Sequence, residues 1–518
     1  MGRPLSQLHV NNGPSSLYPD LFSGSTSSTI QSMPFRRTFN LTDMDKSLMV
    51  NVSLNAMEEL IKLAQSSSPL WIRSSADRCE VLNRAVYESI FAGVAKSPNV
   101  RIESSKDSSV VIVDSCLDLV DIFMDANKWM ESFPNVISRA TTVEVISAGL
   151  MGSRNGLLQM MYEELQVLSP LVPTREFYFL RFCQQIEQNA WAIVDVSYDF
   201  PQGPFYNSQS PVRRLPSGCI IEDMLNGHSK ITWIEHTEIE DIRPIHNLYM
   251  KHVGSGLAFG AIRKLATLQR TCERLTYLMN SSNMSDLGGV ITSPHGKRNL
   301  MKLSERMVKT FCSSINIVNE QQVTISGMND AEVRATLQKC TDPGHPNSMV
   351  LSAETTISMP ISSKVIFDFL RDEKNRPLWD VLSNYIPVQE VGHIACGSHP
   401  GNCISVLGAF NTIQNNKLIL QESCIDSSGA LVVYCPIDLV TINLAMSSED
   451  PSFIPILSSG IAISPDAGEN LGPGELSAGS LVTIVVRIIV SNLTSGKMSQ
   501  ELVNTANNLV NKVKAALR

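Results

Sequence analysis

Two arginines six positions apart, Arg175 and Arg181, stand in a β-forming run that reads REFYFLRFCQQ. An even separation sends both guanidiniums out of one strand face, together with Phe177 and Phe179. Taking a guanidinium out of water is costly, so an apolar strand buries one only against a partner or a ligand. The chemistry that fits is recognition: a fixed cation orienting a polar group at the end of an apolar pocket. The same spacing also fits a solvated strand face.

Other chemistries lack their residues. No G-x-S-x-G, H-E-x-x-H, Walker or G-x-G-x-x-G pattern sits in a suitable context. Gly254-Ser255-Gly256 falls within a helical stripe, with no strand before it to aim a nucleophile. His228 and His236 fall on a hairpin, and His246 and His252 on a helix, without ligand spacing. No catalytic residue, metal or cofactor is expected, and the chain does not read as an enzyme. A basic recognition helix, a heptad run and a C2H2 spacing are all missing. Arg263-Lys264 and Lys297-Arg298 read as solvated faces.

Composition agrees. The 518 residues are 43% hydrophobic with a formal net charge of −8, which gives no broad attraction to nucleic acid or anionic membrane. No apolar run approaches the roughly 20 residues that cross a bilayer, so no stable membrane insertion is expected. The opening MGRPLSQLHV lacks the pattern of a secretion signal. The 11 cysteines form no C-x-x-C pair and read as reduced, buried thiols.

The elements that must position the arginines follow from periodicity. Residues 1–50 are rich in Ser, Asn, Pro and Gly and read as disordered. Leu54, Met57, Leu60 and Ile61 recur at helical spacing from about Asn51. Strands are expected at Ser109–Val113, Ala140–Ile146, Leu157–Glu164, Phe177–Gln184, Ala190–Tyr198, Gly218–Leu225 and Ser229–Ile239. Asn226-Gly227 marks a hairpin between the last two. Pro244–Leu278 then reads as one long amphipathic helix. Residues 281–347 read as a linker containing helices. From Ser348 the pattern returns, ending in an amphipathic helix at Ser499–Leu517. Ile366–Leu370 with Trp379 echoes Val120–Met124 with Trp129, which suggests two copies of one architecture. The expected fold class is α+β: two helix-grip domains, each a curved antiparallel sheet closed by a long C-terminal helix. Their expected bounds are 51–280 and 348–518.

The run R-E-F-x-x-x-R after an acidic segment is similar to a strand of StAR-related lipid transfer (START) domains. The stretches LQVLSPLVPTRE (Leu165–Glu176), RRLPSGC (Arg213–Cys219), Trp233–His236 and HVGSGLAFGAIRKLATLQRTCERL (His252–Leu275) resemble plant class IV homeodomain-leucine zipper transcription factors. Ile366–Asp380 and LILQESCIDSSGALVVYCP (Leu418–Pro436) resemble the same family's region after its START domain. The likeness runs from about residue 52 to 518.

The resemblance implies a lipid-binding START domain followed by a START-like adjacent domain. It implies Arg181 as the tunnel arginine, with Glu164 as the acid that pairs with it. Candidate lining residues are Phe177, Phe179, Trp191 and Trp233, with Gly256, Leu257 and Gly260 from the closing helix. Core packing explains each aromatic equally well, and close helix–sheet contact explains the glycines. Burying about 15 methylenes at roughly 0.8 kcal/mol each would give about 12 kcal/mol before binding costs. A leucine at position 181 is expected to lose ligand and keep the fold. The implied partners are a lipid or sterol and other transcription factors of the family. DNA binding would belong to members that retain the homeodomain, which this sequence does not show. Localisation would be the nucleus, with the cytoplasm as the alternative. Two functions compete: a lipid-sensing transcription regulator and a stand-alone lipid carrier.

Overall fold

A computed structural model describes residues 41–73, 80–91, 100–198, 212–240, 245–279, 291, 293–315, 322–325, 332–340, 348–380, 386–409, 417–447, 451–466, 479–490 and 498–517. The segment 1–40, most of the stretch expected to be disordered, lies outside them. Helix α1 (Asp43–Gln65) starts ahead of the expected Asn51. A capping box explains this: Thr42 accepts from the Asp45 N–H while the Asp45 carboxylate accepts from the Thr42 N–H, so the sequence signal is T-D-M-D.

The first unit continues through β1 (Trp71–Arg73), β2 (Glu80–Leu82), α2 (Arg84–Ile90), β3 (Arg101–Ile112), α3 (Cys116–Met124), α4 (Ala126–Ser132), β4 (Ile137–Ala148) and β5 (Leu157–Leu165). It closes with β6 (Arg175–Glu187), β7 (Ala190–Val196), β8 (Val212–Arg214), β9 (Ser217–Asp223), β10 (His228–Ile239), α5 (Asn247–Gly254) and α6 (Ala261–Met279). Its strands pair antiparallel in the order β1-β2-β3-β10-β9-β7-β6-β5-β4, with β8 on β10. Helix α6 packs on the inner face against β3 and β10, and α1 covers the outer face at β6, β7, β9 and β10.

The second unit is α7 (Pro294–Ser314), β11 (Gln322–Ile325), β12 (Val333–Lys339), β13 (Met349–Met359), α8 (Ser363–Arg371), α9 (Arg376–Trp379), β14 (Val388–Ala395), β15 (Cys403–Ala409) and β16 (Lys417–Asp426). Then come β17 (Gly429–Asp438), α10 (Leu439–Ser447), β18 (Ser459–Pro465), β19 (Ser480–Val490) and α11 (Gln500–Leu517). Its order, β11-β12-β13-β19-β18-β17-β16-β15-β14, repeats that of the first sheet strand for strand. Helix α11 grips β12, β13 and β19 as α6 grips β3 and β10, while α7 covers β16 and β17. The α+β reading with two helix grips therefore describes the chain.

Two features depart from the expected elements. The long closing helix is broken: Ser255–Gly260 separates α5 from α6, and Gly256 sits at φ +80°, where a Cβ would be strained. Strands β11 and β12 occupy the stretch expected as a linker containing helices, where Ser, Asn and Gly hide the strand signal; both belong to the second sheet.

Period-2 alternation separates the faces of the first sheet. Phe177, Phe179, Trp191, Ile193, Cys219, Ile221, Ile231 and Trp233 join the inner core with α3, α4 and α6. Leu158, Leu180, Phe182, Ala192, Val194, Ile220 and Ile234 join the outer core under α1. His236 is buried on that outer face, edge-on to Tyr87 with ring centroids 4.9 Å apart. Neither of its ring nitrogens has a hydrogen-bond partner among the described residues. Burial holds the His236 imidazole down at about 3.

Because the unfolded value is near 6.5, the unfolded chain takes up this proton first as pH falls. Stability from keeping His236 neutral is whole above that value and is lost progressively below it, down towards pH 3. His236→Phe keeps the ring contact and removes both unpaired nitrogens, so it should raise stability at pH 7 by about 1–3 kcal/mol. It should also remove an acid loss of about 1.4 kcal/mol per pH unit between roughly pH 6 and 4. Denaturant midpoints of both proteins at several pH values check this; parallel acid loss in the two would reject it.

Candidate functional site

The inner face of the first grip carries six buried charges. Arg181 on β6 donates from Nε and Nη2 to the two carboxylate oxygens of Asp195 on β7, both at 2.8 Å, in fork-to-fork geometry. Its Nη1 donates to the Phe123 carbonyl at the end of α3, at 2.7 Å. Arg214 on β8 donates to Glu163 and, at 3.3 Å, to Glu235. Lys264 on α6 donates to Glu235 at 2.7 Å. Two tryptophans tie the acids to the helices and sheet: Trp129 Nε1 donates to Glu163 at 2.7 Å, and Trp233 Nε1 to Glu235 at 2.8 Å.

Strand parity builds this cluster. Glu163 shares its parity on β5 with the inner-core Met161 and Leu165, and Asp195 shares that of Trp191 and Ile193 on β7. In the register, Arg181 lies opposite Asp195 on one side and Gln159 on the other. Arg214 and Lys264 come from beyond the sheet's centre and from the closing helix. Gly218 lets β9 approach β7, since a Cβ there would run into the Ile193 carbonyl oxygen.

Three cations and three carboxylates balance. Arg181, Arg214, Glu163 and Lys264 are each at most 2% exposed, so water screens little of their attraction. Burial pushes the Glu163 carboxyl up, yet Arg214, Lys264 and Arg181 outweigh it and hold it below the usual carboxylate range. For Lys264 burial wins, and its ammonium is held below the usual range despite Glu235. Aromatic faces line the cations: the Arg181 guanidinium lies 4.5 Å from the Trp129 ring centroid, and Arg214 lies 4.7 Å from Phe177 and 4.8 Å from Phe179. Arg214 Nε and Gln159 Oε1 remain buried with no hydrogen-bond partner among the described residues.

The expected residues are placed unevenly. Arg181, Phe177, Phe179 and Trp233 meet in this cluster, and Trp191 joins the same core without a ring contact to them. Glu164 does not pair with Arg181. Its parity points it to the outer face, where it lies 3.5 Å from Arg139; the acids on the arginine's face are Asp195 and Glu163. Gly256 and Leu257 sit in the turn between α5 and α6, and Leu257 is half-buried outside the inner core. Gly260 serves close packing, since a Cβ there would run into the Gly256 carbonyl and the Ser105 hydroxyl of β3.

Arg175 pairs with Glu103 of β3 at 2.7 Å and stacks 3.8 Å from the Phe259 ring centroid, joining the sheet to the α5–α6 turn. Arg263 and Lys264 are not solvated. Arg263 is buried and donates to the carbonyls of Gln166, Ala258 and Asn135, while Lys264 enters the ionic cluster. Lys297 is buried as well.

The closing helix also reaches the second unit. On α6, Arg270 pairs with Asp426 and Arg274 with Glu422, both on β16. Ser304 of α7 donates to Glu422 at 2.5 Å, and Arg274 donates to the Met301 carbonyl at 3.0 Å. Elsewhere Ser169 and Thr356 hydroxyls meet at 2.9 Å, and Arg334 donates to the Pro170 carbonyl at 2.7 Å. A cavity of about 80 Å³ lies at this junction, between Glu131, Arg274, Leu278, Met301, Glu305 and Cys396, large enough for a few waters.

Comparison with known proteins agrees with this architecture. The START domain family matches residues 51–274, and the PDF2-like C-terminal domain family matches residues 293–518. The homeobox-leucine zipper protein HDG12 of Arabidopsis thaliana is 49% identical over 534 aligned positions, covering 99% of this chain and 76% of that protein. HDG11 of the same plant is 46% identical, covering 100% and 76%. ROC8 of Oryza sativa subsp. japonica is 46% identical, covering 100% and 78%. Among solved structures, human StAR-related lipid transfer protein 5 is 12% identical with a TM-score of 0.32, covering 45% of this chain and 99% of that one. The di-domain ARO/CYC BexL is 9% identical with a TM-score of 0.21, covering 80% and 97%. By its START and PDF2-like domains and its identity to these relatives along its whole length, the chain belongs to the class IV homeobox-leucine zipper family.

Proposed function

We propose that the chain is the lipid-responsive region of a transcription regulator, in which a lipid or sterol held in the first grip sets the state of the second domain. The observation that carries this is the double duty of α6. Lys264 on its inner side enters the ionic cluster through Glu235, and Arg270 and Arg274 bind β16 of the second domain. A ligand that moved α6 to enter the grip would therefore disturb the domain junction. Coupling of this kind needs a ligand that favours one of two arrangements, and a shared helix supplies the physical link.

The cluster also bears on ligand type. Its charges balance, while Arg214 Nε and Gln159 Oε1 are left over as one donor and one acceptor. That pairing suits an uncharged hydroxyl or carbonyl headgroup better than a phosphate, with Phe177, Phe179 and Trp233 beside the apolar part and Trp191 further along the same face. Ion pairs holding α6 to β16 would oppose repeated opening, which disfavours a free carrier. The expected partners are the lipid or sterol and other transcription factors of the family, and the place of action is the nucleus.

Hydrogen exchange on the whole chain, with and without sterol- or monoacylglycerol-loaded vesicles, tests the coupling. Protection should change in both 261–279 and 417–426. A change confined to the first domain, together with rapid transfer of lipid between vesicles, would favour the carrier.

A further inference from the structure

The first grip is walled by more than its sheet and α6. At the end where β6 starts, two segments outside the strand ladders complete the wall. One is the β5–β6 loop, residues 166–174, and the other is α5 with the turn that follows it. Loops ordinarily run over a surface, where water meets their backbone. This one is buried from Gln166 to Ser169 and again at Val172. Val167 and Val172 join the inner core of the first grip, together with Tyr249 and Val253 of α5.

The second domain supplies the cover. Leu168 joins the core beneath α7, while Leu481 of β19 joins the inner core of the first grip, so each domain lends the other a leucine. A chain of hydroxyls runs across the same junction. Ser169 meets Thr356 at 2.9 Å, Thr356 meets Thr483 at 2.9 Å, and the Tyr249 hydroxyl lies 3.5 Å from that of Thr483. Register places Thr356 directly opposite Thr483 on β13–β19, on the sheet face turned away from α11. Arg334 of β12 adds its bond to the Pro170 carbonyl. The loop and α5 are therefore both pinned from outside the first grip.

Opening the wall elsewhere would break a strand ladder or lift α6 from β3 and β10. The loop and α5 can swing without either. Arg263 of α6 anchors both at their bases, through the Gln166 and Ala258 carbonyls. Gly256, at φ +80° between α5 and α6, gives α5 a joint. Given a lipid in the first grip, the reading on which this rests, we infer that the 166–174 loop and α5 are its lid and that the second domain holds the lid shut. Lipid enters and leaves when Thr356 and Thr483 part from Ser169 and Tyr249. Exchange is slow while the domains are joined, and loosening the junction speeds it.

Ser169→Cys with Thr356→Cys tests this in the whole chain, since hydroxyls 2.9 Å apart put the two introduced sulfurs within reach of a disulfide. The variant is loaded with NBD-labelled sterol or monoacylglycerol and then oxidised, and peptide mass spectrometry checks the bond. Transfer of the probe to excess phosphatidylcholine vesicles is timed. Locked protein should release it at least about 10-fold more slowly than the same protein after dithiothreitol. Should the bond not form, Thr356→Val with Thr483→Val carries the test. These changes keep side-chain volume, remove the hydroxyl chain and should speed release about 5-fold, the worth of roughly one hydrogen bond. Equal release from locked and reduced protein, or an unchanged rate in the valine variant, would overturn the lid and leave the lipid reading standing. Probe that unlabelled lipid cannot displace from the reduced protein would overturn the lipid reading, and the lid with it.

Discussion

Arg181→Leu should destabilise the first domain by about 3–5 kcal/mol, because it leaves Asp195 buried without its fork-to-fork partner. For a unit of this size that lowers the thermal midpoint by roughly 6–20 °C. The expectation from sequence was that leucine would spare the fold; the completeness of Arg181's burial and its bond to the Phe123 carbonyl argue against that. Adding Asp195→Leu removes the stranded charge, so the double variant should be more stable than Arg181→Leu alone. Arg214 keeps Glu163 and Glu235 when Asp195 goes. Denaturant midpoints of the wild type, two single variants and the double variant give the coupling directly. Simple addition of the two single losses would mean that the pair is not acting as a buried unit.

The second large effect concerns the junction. Arg270→Ala with Arg274→Ala removes both guanidiniums that α6 sends to β16 and strands Glu422, which is 5% exposed. We expect a loss of about 3–5 kcal/mol in the stability of the joined domains, since the charge left behind is desolvated. In calorimetry the wild type should unfold in one cooperative transition, and the double variant in two. The polar links that remain are single hydrogen bonds or partly exposed pairs, at Ser169–Thr356, Arg334–Pro170, Tyr249–Thr483, Glu273–Ser398 and Lys309–Glu131, and they should be too weak to keep the domains in step. A single unshifted transition in the variant would show that these ion pairs do not join the domains.

Much of this was legible in the chain itself. Alternation in REFYFLR put Arg175, Phe177, Phe179 and Arg181 on one face, and the repeated helix with its tryptophan announced the second copy of the grip. The acid was misplaced by one residue, and one residue in a strand is the difference between the two faces of a sheet. Counting from Met161 would have chosen Glu163 over Glu164. Asp195, Arg214 and Glu235 needed the strand order, which no local pattern contains. Lys264 read as solvated because a lysine on an amphipathic helix is usually outside, and only the distant Glu235 makes its burial tolerable. The break at Gly256 was hidden by an apolar stripe that continues across it. Strands β11 and β12 were lost in a polar stretch whose pairing is settled by β13.

The most direct test of the central claim is photo-crosslinking of the whole chain with diazirine-bearing monoacylglycerol and sterol probes, followed by peptide mass spectrometry. At least one probe should attach to the first grip, at inner-face positions within 175–183, 190–196, 228–239 or 261–279, and unlabelled lipid should compete it away. Labelling confined to residues 293–518, or none that unlabelled lipid can displace, would contradict it.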